Sequence, residues 1–296
     1  MTSETLNSEL LSKFRGCLVG SLIGDCLGRP FEFNPAQNSK TILANYFSDL
    51  LSGGSTRMLH CTDDTCMTLS IARSLVENKK VDPKDMAKRF VAEYFNQPKR
   101  GYGINTVDVM HILKETNFKD VFQPAKMQFK GSGSYGNGAA MRIAPVALFG
   151  YNMSDEFLQK DVEKCSRITH HHPNGYNGAI LQCLAVKAAL KSDSSKEFDA
   201  VNFISQLEKK METIESKDNL PYCESLKKIR EFYLKDPEDI TPEEIAECLG
   251  SIAGAYYGIG AIPTEIQDRC EFKDEIDNLA HKLYAASQET TSCSIG

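Results

Sequence analysis

An all-α helical bundle is the fold class that this 296-residue sequence predicts, and three observations carry the prediction. Apolar residues recur at intervals of three and four along nearly the whole chain, the spacing that gathers them on one face of an α-helix. Runs that alternate apolar and polar residues between turn residues, the mark of half-buried strands, are absent. Proline and acidic residues stand where helix N-termini favour them, because proline fixes φ and carboxylates complement the unpaired N–H groups of a first turn.

The first long helix carries Gly16, Gly20, Gly24 and Gly28 at intervals of four, a bare stripe down one face. Each glycine gives up as much as about 1 kcal/mol of helix stability against alanine, so the stripe implies that something approaches closely. A helix crossing in the core is the reading, with ligand approach at the Gly28 end as its alternative. Gly254 and Gly258 repeat the spacing and are the candidates to pack against it. Thr62-Asp63-Asp64-Thr65 precedes an amphipathic helix over Cys66 to Val76, and Asp82-Pro83-Lys84 starts the next, whose apolar stripe runs from Asp85 to Phe95. The glycine-dense segment Gly131 to Gly138 leads into a helix beginning near Ala139. Thr169 to Gly175 closes one helix and opens another that contains Ile180 to Leu190. Lys191 to Lys196 (KSDSSK) reads as an exposed loop and not as a domain boundary. Helices over Phe198 to Met211, from Thr241-Pro242-Glu243-Glu244 and over Glu271 to Ser287 complete a single domain spanning residues 1–296.

With 34 Lys and Arg against 40 Asp and Glu, the formal charge is −6, so the chain lacks the basic excess of a general nucleic-acid binder. The most apolar run, Gly16 to Gly28, is interrupted by Ser21 and Asp25 and is too short to cross a bilayer. Met1-Thr2-Ser3-Glu4-Thr5 resembles neither a signal nor a transit peptide, which predicts an intracellular protein. Ten cysteines lie scattered with no C-x-x-C or Cys/His ligand spacing, so buried reduced thiols are expected in place of disulfides or zinc.

Four segments could carry chemistry. Asp63 and Asp64 with Thr62 either cap a helix or present hard oxygen ligands for Mg²⁺, and both roles can hold at once. Successive N–H groups in Gly131-Ser132-Gly133-Ser134-Tyr135-Gly136-Asn137-Gly138, with a helix N-terminus behind them, form a cradle for phosphate oxygens, although the segment matches neither a P-loop nor a Rossmann turn. A merely flexible loop is the alternative, against which Phe129, Tyr135 and Arg142 point to a ligand with rings and negative charge. His170-His171-His172 cannot all ligate one ion from a helix, where neighbours diverge by about 100°; they complement a helix C-terminus, or one of them stacks on a base. Glu32 sits in a loop stiffened by Pro30 and Pro35, where an isolated carboxylate is ordinarily only solvated.

Taken in order, FRGCLVGSLIGDCLGRPFE, CTDDTCMTLSIARSL, RGYGINTVDVM, GSGSYGNGAAMRIAPVALF, ITHHHPNGYNGAILQCLAVKAAL and GSIAGAYYG resemble the ADP-ribosylhydrolase family, relatives of dinitrogenase reductase-activating glycohydrolase. The branch most similar removes ADP-ribose from serine and degrades poly(ADP-ribose). The resemblance implies an orthogonal all-α bundle with a two-Mg²⁺ site. It implies Glu32 on a lid near the reacting ribose as catalytic acid or base, and Glu32, Thr62, Asp63 and Asp64 as metal ligands. It makes Gly133, Ser134, Tyr135, Gly136 and Asn137 the diphosphate loop, places Phe129 and Tyr135 at the adenosine end, and brings Gly103 and His170 close to the ligand. ADP-ribosylated proteins and poly(ADP-ribose) become the partners, with no DNA and no membrane. It further implies a monomer of the cytoplasm and nucleus, with the mitochondrial matrix as a further site, acting in the DNA damage response.

The family's second acidic motif, Gly-Gly-Asp-Thr-Asp-Thr, is missing. Glu247 to Ala253 precede Gly254 here with no aspartate, so the chain reads as internally shortened near 250. Fewer carboxylates weaken a site for a hard cation. That keeps a non-catalytic ADP-ribose binder or crystallin-like structural relative as the alternative to a hydrolase, ahead of a nucleotide phosphohydrolase built on Asp63 and Asp64.

Overall fold

A computed structural model describes residues 3–32, 40–51, 57–216, 219–233 and 246–292. The helices are α1 (Ser3–Gly28), α2 (Lys40–Leu51), α3 (Asp63–Asn78), α4 (Pro83–Asn96), α5 (Ile104–Glu115), α6 (Gln123–Gly131) and α7 (Ala144–Phe149). They continue with α8 (Asp155–Ser166), α9 (Pro173–Lys191), α10 (Ala200–Ile214), α11 (Pro221–Tyr233), α12 (Ala246–Tyr257), α13 (Thr264–Gln267) and α14 (Lys273–Ser292). Among the described residues extended pairing is limited to two isolated bridges, Leu59 with Cys270 and Ser216 with Asn219. The all-α expectation therefore holds, and with it the helix starts capped by Thr62 and Asp82. Asp82 accepts hydrogen bonds from the N–H groups of Lys84 and Asp85 with Pro83 in the first turn, and Ser192 to Lys196 form the polar loop after α9. The helix start at Thr241 to Glu244 falls outside the described residues.

α1 is the axis of the bundle, in contact with α12, α14, α7, α3 and α9. Its fully buried Phe14, Leu18 and Leu22 join Ile71 and Leu75 of α3, Val146 to Phe149 of α7 and Ile180 and Val186 of α9 in one core. The glycine stripe explains the α1–α12 contact. A methyl added at Gly254 would overlap the carbonyl of Gly16, and one at Gly250 the carbonyl of Gly20, so the helices cross backbone against backbone. The crossing is tightest at Gly16 and Gly20 and reaches Gly24, which packs near Gly250, while Gly28 has open space and lines a cavity with Gly20 and Gly24, so the two readings of the stripe overlap along it.

Eight cysteines, Cys17, Cys26, Cys61, Cys66, Cys165, Cys183, Cys223 and Cys270, are buried free thiols. Burial raises the Cys17 and Cys183 thiols far above their ordinary range. Among the described residues no helix is long and apolar enough to cross a membrane.

Candidate active site

The C-terminal end of α1, the start of α3, the loop before α5, the glycine loop and α12 enclose a cleft of about 1270 Å³. That is room for a dinucleotide-sized ligand, larger than the usual range for a drug-sized one.

Asp63 and Asp64 form the first turn of α3 and line the cleft, with exposures of 7% and 8%. Thr62 caps the helix, its hydroxyl accepting the Asp64 N–H at 3.3 Å, so the capping role is real and coexists with the carboxylates' access to the cleft. Thr62 itself is buried and stands behind the wall. The segment is held by a residue that sequence reasoning passed over. Asp25, 1% exposed on α1, accepts the Thr62 N–H at 3.0 Å, the Thr65 N–H at 3.1 Å and the Thr65 hydroxyl at 2.5 Å. An acidic residue within the apolar, glycine-rich run Gly16 to Gly28 was its only signal. A second clamp comes from outside: the Arg100 carbonyl accepts the Asp63 N–H at 3.0 Å, and its guanidinium donates to the Cys61 carbonyl. Glu271, at the N-terminal approach to α14, pairs with that guanidinium at 2.7 and 2.8 Å. Those Arg100 hydrogen bonds, aided by His60, hold the Glu271 carboxyl down at about 2.

Glu32 is exposed in the turn after α1 and lines the cleft, as does Gly103, the N-cap of α5. Asn34 and Pro35 of the same loop fall outside the described residues.

Ser134, Gly136 and Asn137 line the cleft; Gly133 does not, being buried against the His171–His172 backbone. The loop is anchored where the His172 N–H donates to the Ser134 carbonyl at 3.3 Å. Among the described residues the N–H groups of Ser134 and Tyr135 make no backbone hydrogen bond, which leaves them for a ligand. Phe129 and Tyr135, 48% and 69% exposed, stand outside the cleft with ring centroids 6.3 Å apart. Phe129 and Lys130 are left-handed, φ 50° and 59°, an uncommon conformation for residues with side chains.

Three expectations need correction. The glycine loop does not run into a helix near Ala139: Asn137–Ala139 make a single 3-10 turn and α7 starts at Ala144, where Pro145 suits a first turn. Arg142 lines the cleft, as its place beside the loop suggests, but it is not an exposed anion receptor. It is fully buried, stacked over Phe90 at 4.6 Å and donating to Thr169 at 2.7 Å, and burial lowers its pKa. The histidines do not complement a helix C-terminus as cations. His172 caps the next helix, its Nδ1 accepting the Asn174 N–H at 3.1 Å. His170, 4% exposed at the cleft wall, is kept neutral because burial and then the Arg142 charge push its pKa down to about 3.

Among the described residues no three His, Cys, Asp or Glu side chains form a group able to hold a metal ion. Asp63 and Asp64 are the hard oxygen donors that Mg²⁺ takes one or two at a time, with water and ligand oxygens filling its octahedron. The facing wall offers Gly250, Ala253, Gly254 and Tyr257. Among the described residues the lining thus fits one cation on the α3 side and does not fit a second held from α12.

A family model described as ADP-ribosylglycohydrolase matches residues 6–249 and 243–293. The chain is 35% identical to the human protein named ADP-ribosylhydrolase ARH3, covering 95% of each, and 38% identical to the Xenopus tropicalis protein of that name, covering 92% of this chain and 80% of the other. A Pseudomonas putida protein named ADP-ribosylarginine hydrolase Tri1 is 24% identical over 93% of this chain and 79% of its own. A solved structure titled ADP-ribosylglycohydrolase-related protein complex superposes with a TM-score of 0.64 at 21% identity, covering 95% of this chain and 99% of that one, a likeness of fold.

Proposed function

This chain belongs to the ADP-ribosylglycohydrolase family of glycosyl hydrolases, and from that premise we propose that it cleaves the C1″ glycosidic bond of ADP-ribosyl-serine and poly(ADP-ribose), releasing ADP-ribose. The observation that carries the proposal is a single cleft that joins Asp63, Asp64 and Glu32 to the glycine loop and His170. Backbone N–H groups of Ser134 and Tyr135 bind the diphosphate, which lets an acidic protein hold an anionic ligand by local positive potential. Phe129 and Tyr135 receive the adenosine end. Glu32 protonates the leaving serine oxygen or takes a proton from the attacking water. Mg²⁺, when bound, supplies Lewis-acid polarisation of the ribose, and Asp63 and Asp64 are the residues that would hold it.

A second reading, an ADP-ribose binder without turnover, is favoured by the absence of a carboxylate among the described side chains of the α12 wall. Two features support a shortened segment ahead of that helix. The family model matches in two pieces that share residues 243–249, and the human alignment runs over 352 positions, more than this chain's 296 residues. Monomeric action on ADP-ribosylated proteins in the cytoplasm and nucleus belongs to the same proposal and rests on resemblance to the ARH3 proteins.

The test is release of ADP-ribose from a serine-ADP-ribosylated peptide by the full chain, with Mg²⁺ and with a chelator. Mg²⁺-dependent release is the expected result. No release from a folded sample that still binds ADP-ribose replaces the hydrolase with the binder.

A further inference from the structure

We propose that Thr169 is a positioning residue that fixes His170 as its Nε2–H tautomer, so that the imidazole offers the cleft a directed hydrogen-bond donor. The inference deepens the ADP-ribose reading of the cleft and rests on it.

A threonine hydroxyl has one proton and two lone pairs. Arg142, which can only donate, takes one lone pair of Thr169 at 2.7 Å. Its guanidinium is locked in place by the Phe90 ring, the Met67 sulfur at 3.6 Å and the Cys165 carbonyl at 3.4 Å. His170 Nδ1 lies 2.8 Å from the same hydroxyl, and among the described residues no other acceptor reaches it. The Thr169 proton therefore goes to Nδ1, and Nδ1 carries none of its own.

The remaining proton of the neutral ring sits on Nε2. Among the described residues that nitrogen has no hydrogen-bond partner, and it faces the glycine loop, where a methyl at Gly138 would come within 3.0 Å of it and one at Gly136 within 3.5 Å. Both glycines line the cleft with His170. The group recognised is an oxygen acceptor, a diphosphate or ribose oxygen. A neutral N–H selects such an oxygen by direction, whereas an imidazolium would attract any anion. Without Thr169 both tautomers become available, and the acceptor form would turn a lone pair towards ligand oxygen.

The experiment is a long-range ¹H–¹⁵N spectrum of the imidazoles in the full chain at neutral pH, with His170 assigned by the signal lost in His170→Asn. A bare Nδ1 and a protonated Nε2 are expected in the wild type and in Thr169→Ser, which keeps the hydroxyl. Thr169→Val is expected to lose that pattern and to bind ADP-ribose about tenfold more weakly, the worth of one hydrogen bond to a charged ligand. A protonated Nδ1 in the wild type overturns the proposal, as does a Thr169→Val spectrum unchanged from it. If Thr169→Val does not fold, the wild-type spectrum and the Thr169→Ser rescue still decide. Wild-type protein that shows the expected tautomer and binds no ADP-ribose supports the role of Thr169 and removes the assigned ligand.

Discussion

Across the cleft, the wall that carries Asp63 and Asp64 is held by hydrogen bonds accepted by the Asp25 carboxylate and the Arg100 carbonyl and by the Arg100–Glu271 pair, whereas the α12 wall meets α1 backbone against backbone and is tied by side chains on its far side, where Gln182 donates to Ser251 and Tyr256 donates to the Asp193 and Lys196 carbonyls. The first arrangement fixes the direction of charged groups that would otherwise repel each other. The second sets how closely α12 approaches α1. One wall is built to meet a ligand's polar atoms and the other to limit its space, and substitutions on the two sides should fail in different ways.

The largest effect is expected from Gly254→Ala, whose methyl has no room beside Gly16. Overpacking against backbone should destabilise the fold by about 3 kcal/mol or more, read as a fall in urea midpoint. Unchanged stability would mean that the crossing gives way easily. Asp25→Asn should come next, at about 2 kcal/mol, because it weakens hydrogen bonds from two N–H groups and a hydroxyl to a buried carboxylate. Unlike the glycine variant, it should also lower Mg²⁺ affinity in a sample that stays folded, measured by calorimetry. A smaller effect sharpens the contrast from the other side. Ala253→Asp, at an exposed position lining the cleft, should raise Mg²⁺ affinity about tenfold by adding a carboxylate to the bare wall. No change would place that position out of reach of the ion.

Acidification separates the walls again, through groups on the hydrogen-bonded side. His170 has a folded pKa of about 3 against an ordinary 6.5, so the unfolded chain takes up a proton that the native state refuses, and stability falls as pH drops below about 6.5. Glu271 titrates at about 2 against 4.5, so its contribution is complete above about 4.5 and is lost as pH falls towards 2. Glu271→Gln should cost about 1 kcal/mol at neutral pH and flatten only the lower part of the acid limb. A denaturation series over pH 2 to 7 checks both, and identical profiles for the variant and the wild type would dismiss Glu271 as a clamp.

The helices were legible in the sequence because periodicity and capping are local. Asp82-Pro83 and Thr62 announce their helices within a few residues. The glycine stripe was legible as a crossing because its spacing is that of one helix face, and only its division between packing and cleft needed three dimensions. Arg142 misled for the converse reason. Beside an exposed loop it reads as an anion receptor, yet the next residues turn it into the core beneath Phe90, a long-range contact with no local signature. The role of Asp25 was hidden on the same ground, since its partners lie some forty positions away in Thr62 and Thr65. The carboxylates, the glycine loop and His170 carry their residue types openly, but the network that orders them is scattered over α1, α14 and the Thr169 turn.

The crossing of α1 with α12 also bears on how the chain is made. Gly16 leaves the ribosome early and its partner Gly254 near the end, so α1 cannot complete its packing until almost the whole polypeptide has been synthesised. Local helix pairs such as α3 with α4 and α8 with α9 can form beforehand. Closing so long a loop comes late, and slow non-local closure leaves apolar surface uncovered in the interval. The nascent protein thus passes through a stage in which Leu18 and Leu22 have some of their neighbours and not the last one, the stage at which a chaperone has something to hold.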